Sequence, residues 1–207
     1  SGSDALARGR AAGVMPKARM GEDWALVGGV FRSTSENERT FAQNFVETTA
    51  DGRTRAEVIA DPGQRYASIS GELRVSRSFT EGPRLHTIHA SVRSRRLDSR
   101  YGGAAAPIDL GERSLGAVLP VPNPGPFAFG EQTIDHVRQT TIGLAYDGRW
   151  KNVGELSLGI QRADYRKSID LPGSITDTRT RDRPWLFNAS AAGYLTDTLA
   201  LYARYTR

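Results

Sequence analysis

The chain contains no cysteine, which removes disulfides and thiolate metal sites from consideration. Lysine is nearly as scarce: it stands only at positions 17, 151 and 167, so almost all of the positive charge is arginine. Histidine occurs three times, as His86, His89 and His136. No apolar run approaches the ~18 residues of a membrane-spanning helix. The first residues lack a charged segment followed by an apolar one, so no leader peptide is legible and the chain reads as mature or as a fragment. No P-loop, Rossmann glycine fingerprint or nucleophile elbow is present. His86 and His89 stand three apart, but on a strand side chains at that spacing point to opposite faces and cannot share a metal without a bulge. Acid pairs such as Glu22 and Asp23 sit in turns. The reading is therefore not an enzyme, with no catalytic residue, metal or cofactor assigned.

What is present is alternation. The stretch 65–96 reads as two long strands joined by a turn at 80–84. Ile69, Gly71, Leu73, Val75 and Phe79 fall on one side of the first strand, and Ser68, Ser70, Glu72, Arg74, Ser76 and Ser78 on the other. In the second, Ile88, Ala90 and Val92 oppose Thr87, His89, Ser91, Arg93 and Arg95. Such ribbons suit a half-buried antiparallel sheet, or a transmembrane barrel with an apolar exterior and polar interior. Each strand runs past the five or six residues usual in globular proteins and past the roughly nine to eleven that cross a bilayer. Length favours the barrel, and only alternate residues of a barrel wall need be apolar. The modest 38% hydrophobic content is compatible with that.

Further along, 142–146 and 156–160 repeat the alternation, 184–195 reads as a returning strand, and 199–207 alternates again. Short turns at 21–23, 80–84, 147–149 and 196–198 alternate with long connections at 33–64, 97–130 and 166–183. Outer-membrane barrels pair tight periplasmic turns with long extracellular loops in this way. Ala50, Asp51 and Gly52 signal a hairpin within the first long connection, read as standing above the wall. Trp24, Phe79, Tyr146, Trp150 and Tyr194 collect beside the short turns, the level at which an interfacial aromatic belt forms. The expected organisation is an irregular segment over 1–20, then a partial barrel over 21–207.

Five segments resemble a known family: 24–35 (WALVGGVFRSTS), 71–79 (GELRVSRSF), 153–170 (VGELSLGIQRADYRKSID), 181–190 (RDRPWLFNAS) and above all 195–207 (LTDTLALYARYTR). They look like the barrel of a TonB-dependent outer-membrane receptor. That resemblance implies an all-β antiparallel transmembrane barrel of 22 strands, closed around an N-terminal plug and energised by an inner-membrane complex. It also implies residence in the bacterial outer membrane, contact with lipid and lipopolysaccharide, and uptake of a scarce small ligand, most often a ferric siderophore. Neither a plug nor an energy-coupling box is recognisable in these residues. The strand count is seven, or nine if 40–60 joins the wall, so a partial barrel is expected.

The net charge of +5 and pI near 9.8 raise the question of nucleic acid. The arginines, however, alternate along strands or sit among acids rather than forming one basic stripe. Arg93, Arg95, Arg96 and Arg100 climb from strand into loop, and Arg179, Arg181 and Arg183 line the end of the next loop. Together they are the candidate ligand-binding set, an electropositive vestibule for an anionic ligand such as an iron chelate. The competing assignments are pairing with lumen acids such as Glu72 and Glu155, or with lipopolysaccharide phosphates. A soluble or surface-exposed antiparallel binding module or adhesin is the alternative function.

Overall fold

The computed structural model describes residues 7–115, 126–196 and 198–207. Thirteen strands form two antiparallel sheets, and no helix occurs among the described residues. The larger sheet is a wall in the order β1 (Ala7–Val14), β3 (Trp24–Asn37), β6 (Gln64–Glu81), β7 (Arg84–Tyr101), β9 (Thr133–Trp150), β10 (Gly154–Asp170), β12 (Trp185–Thr196), β13 (Leu199–Thr206). β2 (Lys17–Met20) pairs with β3, and β11 (Thr178–Asp182) pairs with β10. Its two ends do not meet, so the sheet is an open portion of a barrel. The smaller sheet contains β4 (Thr40–Val46), β5 (Arg53–Asp61) and β8 (Ile108–Ser114).

Side-chain alternation sets one face of the wall for every strand, because directly paired residues project to the same side. Gly28, Leu73, Val92 and Ile142 form one such row. Leu26, Val75, Ala90, Leu144, Ile160 and Phe187 form the next. The apolar side continues through Leu158, Ala189 and Tyr205, with Arg77 and Arg162 set into it, each laid over a tryptophan ring, Trp24 at 5.5 Å and Trp185 at 5.0 Å. No described residue covers it: Leu73, Ile88, Leu144 and Leu158 remain 46, 46, 58 and 42% exposed. A sandwich would have sealed those four residues inside.

The short-turn end of this face carries the aromatic cluster. Phe79 stacks on His86 with ring centroids 5.0 Å apart, and Trp150 meets His86 edge-on. Tyr146 Oη lies 2.8 Å from His86 Nδ1, and the Arg77 guanidinium sits 5.5 Å above the Trp24 ring. Tyr194 is a correction to the expected belt. It alternates with Ala191 and Gly193, so it faces the polar side, where its hydroxyl donates to Glu155 Oε1 at 3.0 Å.

Three boundaries differ from expectation. The segment expected to be irregular over 1–20 pairs along β3 from Ala7 to Met20, with Pro16 between its two parts. Proline is tolerated there because the strand borders the sheet on only one side, and Pro16 still accepts from Gly28 N–H at 2.9 Å. The turn expected at 147–149 lies within β9, and the chain reverses instead at 151–153, where Asn152 takes the left-handed conformation with φ 60°. Asp147 and Gly148 look like a turn signal, but both are paired with β7 and β10. Finally, strands continue well into all three long connections, ending at Asn37, Tyr101 and Asp170. The apolar alternation stops earlier, because a strand beyond the membrane can be polar on both faces.

The β6–β7 turn has only Gly82 and Pro83 between the paired Glu81 and Arg84. Gly82 supplies the positive φ of 57° required at the first position of a two-residue hairpin. Asp197, centre of the turn expected at 196–198, and the prolines of 119–125 lie outside the described residues.

Candidate functional site

The polar face of the wall gathers side chains from five neighbouring strands. Arg93 on β7 reaches across β9 to donate to Gln161 Oε1 on β10 at 2.8 Å. Gly143 lies beneath this crossing, and a Cβ there would come within 2.9 Å of Gln161 Cγ. Arg95 borders a niche of about 340 Å³ with Phe31, Ser70, Glu72, Gln139 and Arg93. Glu72 is held by Arg74 at 2.6 Å, whereas Arg95 has no carboxylate partner among the described residues. Nearer the short turns Arg149 pairs with Glu155 at 2.8 Å. The lumen acids named from sequence therefore have partners, but those partners are Arg74 and Arg149 rather than the candidate arginines.

A second polar array links three strands. Ser76 Oγ lies 2.7 Å from His89 Nδ1, and His89 Nε2 lies 2.9 Å from Asp147 Oδ2. The order Ser, His, Asp has the connectivity of a proton relay. Ser76 is paired on both sides, with Ala25 and His89, so the backbone around it is committed to the ladder rather than turned toward a developing oxyanion. The array ties β6, β7 and β9 together. The hairpin at Gly82 and Pro83 fixes Ser76 opposite His89 from sequence alone. Asp147 comes from a strand beyond a long connection, whose register no local signal gives. His86, three residues away, projects to the other face as alternation requires.

The seven candidate arginines do not form one vestibule. Arg93 and Arg95 face the polar side. Arg96 and Arg100 project to the apolar side, where they pair with Asp98 at 2.9 Å and Gln132 Oε1 at 2.6 Å. Arg181 is directly paired with Arg166 and Arg179 with Ser168, so both share the apolar side. Arg181 and Arg183 converge there on Asp164 at 3.3 and 2.9 Å, and Arg179 pairs with Asp177 at 3.1 Å. A run that climbs a strand necessarily distributes its members over both surfaces. That separates Arg95 from Arg96.

Above the wall, the smaller sheet has its own core. Thr54, Ala56, Val58 and Ala60 alternate inward along β5, with Val58 only 1% exposed. Arg55 pairs with Asp109 at 2.6 Å across β5 and β8. That hydrogen bond, with one from Gly111 N–H, holds the Asp109 carboxyl below its ordinary range, and Asp109 in turn raises Arg55. Gln132 Nε2 donates to Gly63 O at 2.8 Å, joining the two long connections at the wall's rim. Phe41, Phe127 and Phe129 are linked in series with centroids 6.0 Å apart, and Arg39 stacks 5.3 Å from the Phe129 ring. Sequence patterning alone did not identify this aromatic and cationic group, because its members come from two separate connections.

An open, strongly alternating sheet with uncovered apolar residues on one side defines the class: part of a transmembrane-type antiparallel β-barrel. Comparison with solved structures narrows it. The chain is similar to the ferric-catecholate import receptor Fiu of E. coli K12 in its closed form, with TM-score 0.74 and 15% identity over 97% of this chain and 32% of that one. It is similar to BauA, the ferric preacinetobactin receptor of Acinetobacter baumannii, with TM-score 0.70 and 12% identity over 96% and 30%. The unliganded ferric citrate transporter FecA gives TM-score 0.68 and 14% identity over 96% and 27%. The fold is thus that of a portion of the TonB-dependent siderophore-receptor barrel, about a third of the length of those chains. No family model and no curated protein sequence matches.

Proposed function

We propose that the chain is the wall of an outer-membrane receptor for energy-coupled uptake of a scarce anionic ligand, most simply a ferric siderophore. The observation that carries this reading is the broad exposed apolar face, whose residues need lipid rather than a second protein layer. Residence in the bacterial outer membrane is part of this proposal. The fold neighbours described as ferric citrate, ferric preacinetobactin and ferric-catecholate proteins support an iron chelate as cargo. Arg93 and Arg95 on the lumen face, and Arg39 beside the linked phenylalanines, supply the cationic and aromatic surface that such a ligand requires. A plug and the inner-membrane energy-transducing complex complete this proposal.

The test is uptake of radiolabelled iron chelates by cells carrying or lacking the gene, with and without collapse of the inner-membrane proton gradient. Gene-dependent uptake that stops on collapse is expected. A protein that is folded and monodisperse in plain buffer would favour the soluble binding module instead.

A further inference from the structure

The chain passes between the wall and the small sheet four times: from β3 to β4, β5 to β6, β7 to β8 and β8 to β9. Crossings spread around the rim would hold the small sheet at several separate points. Instead they meet in one neck. Gly63, with φ 28°, lies so close to the first crossing that a Cβ would stand 2.8 Å from Asn37 O and 3.5 Å from Arg39 N. Gly103, with φ 75°, lies against the fourth in the same way, where a Cβ would stand 2.7 Å from Gly130 O. Gly130 N–H donates to Gly103 O at 3.1 Å. Only glycine lets backbone approach backbone this closely in the left-handed region.

One side chain fastens the neck. Gln132 Nε2 donates to Gly63 O at 2.8 Å and to Gly102 O at 3.3 Å, and its Oε1 accepts from Arg100 Nε at 2.6 Å. Arg100 can only donate and the two carbonyls can only accept, so the amide has one orientation. It joins the second, third and fourth crossings to the top of β7. Arg39 over the Phe129 ring at 5.3 Å and Arg8 with Glu38 at 2.9 Å add contacts from exposed, long side chains, which hold little. Beyond the neck the two bodies are separate. Among the described residues no strand of the small sheet packs on a strand of the wall. The small sheet keeps its own shape, since its two ladders are continuous and Ala56 and Ala60 lie beside Val58 in a closed core. A body rigid in itself and attached at one place can turn about that place, with a few backbone positions absorbing the change in φ and ψ.

We infer that the neck is a latched pivot: the small sheet turns on it as one rigid body, and the Gln132 amide is the latch that holds the observed pose. Turning reshapes the rim on the long-connection side and leaves every strand pair of the wall in place. The device goes beyond the uptake reading and does not depend on which ligand, if any, the wall admits.

The test measures two distances by pulsed dipolar spectroscopy on the spin-labelled full gene product in lipid vesicles. Labels at Ala42 and Glu112, exposed on β4 and β8, report the inside of the small sheet; labels at Ala42 and Ser94, exposed on β7, report its position on the wall. The unmodified protein should give a narrow distribution for each pair. Gln132→Ala removes the latch, whereas Gln132→Glu keeps the bond from Arg100 but turns a carboxylate oxygen on the two carbonyls. Each variant should raise the population of a second sheet-to-wall distance about tenfold, the order expected for lost hydrogen bonds of this kind, and leave the internal pair unchanged. A sheet-to-wall distance as narrow in both variants as in the unmodified protein overturns the proposal. Broadening of the internal pair together with the sheet-to-wall pair also overturns it, because the sheet would then be unfolding rather than turning. The uptake reading fails separately, if iron uptake proves independent of the gene.

Discussion

The wall and the sheet above it use the same period-two pattern with opposite burial. On β5 the apolar residues turn inward, and Val58 is 1% exposed; on β9 Leu144 is 58% exposed. The small sheet stands in water and must hide its apolar side against its own connections, as Ala105 does by donating its N–H to Ala60 O at 2.9 Å. On the proposed function the wall need not, because lipid would receive its apolar side. Alternation alone therefore does not say which solvent a strand faces; strand length and the presence or absence of a covering layer do.

Substitutions can break this contrast. Leu73→Arg or Leu158→Arg puts a charge into the lipid-facing belt, at about 2–4 kcal/mol near the midplane. Ser70→Arg and Ser157→Arg, on the polar face of the same strands, should be tolerated. The folded fraction recovered in vesicles, read by heat-modifiable gel mobility, should drop for the first pair only; equal damage would mean the faces are misassigned. Val58→Asp makes the reciprocal change in the small sheet by burying an unpaired charge, which costs several kcal/mol. Limited proteolysis should then cut within 38–63 while the wall retains its gel mobility. If the wall is lost as well, the two sheets are one cooperative unit.

Within the wall, His89→Phe removes the hydrogen bonds to Ser76 and Asp147. A loss of about 1–2 kcal/mol in unfolding free energy is expected, measured by denaturant titration in micelles. The smallest effect belongs to Asp109. Its carboxyl is depressed below the ordinary value of 3.8, so its contribution is complete above that pH and fades as pH falls through the lowered value. Amide protection factors along β8, corrected for the intrinsic pH dependence of exchange, should fall at that acidic limit and be unchanged between pH 5 and 7.

The wall was legible from sequence to the extent that apolar alternation runs along its strands. Leu73, Ile88, Leu144 and Leu158 lie on the side their spacing indicates. Legibility ended where that constraint ends. Beyond the belt both faces are polar, so the continuation of β7 to Tyr101 and β10 to Asp170 left no trace in hydropathy. The Asp147–Gly148 dipeptide suggested a turn because its composition suits one, while the actual reversal at 151–153 carries the weaker signal of Asn152. The arginines were misgrouped for a related reason. Sequence proximity gathered Arg95 with Arg96, whereas strand geometry separates them and brings Arg96, Arg138, Arg166 and Arg181 into one row from four strands.

The central claim is that one side of the wall meets lipid and the other water, and neighbouring residues of β9 test it most directly. Spin labels placed at Leu144 and Ala145 in the vesicle-embedded protein can be probed with oxygen, which concentrates in lipid, and with a water-soluble nickel chelate. The label at 144 should collide mainly with oxygen and the label at 145 mainly with nickel. Equal accessibility at the two sites, or protection of 144 from both reagents, would contradict the account.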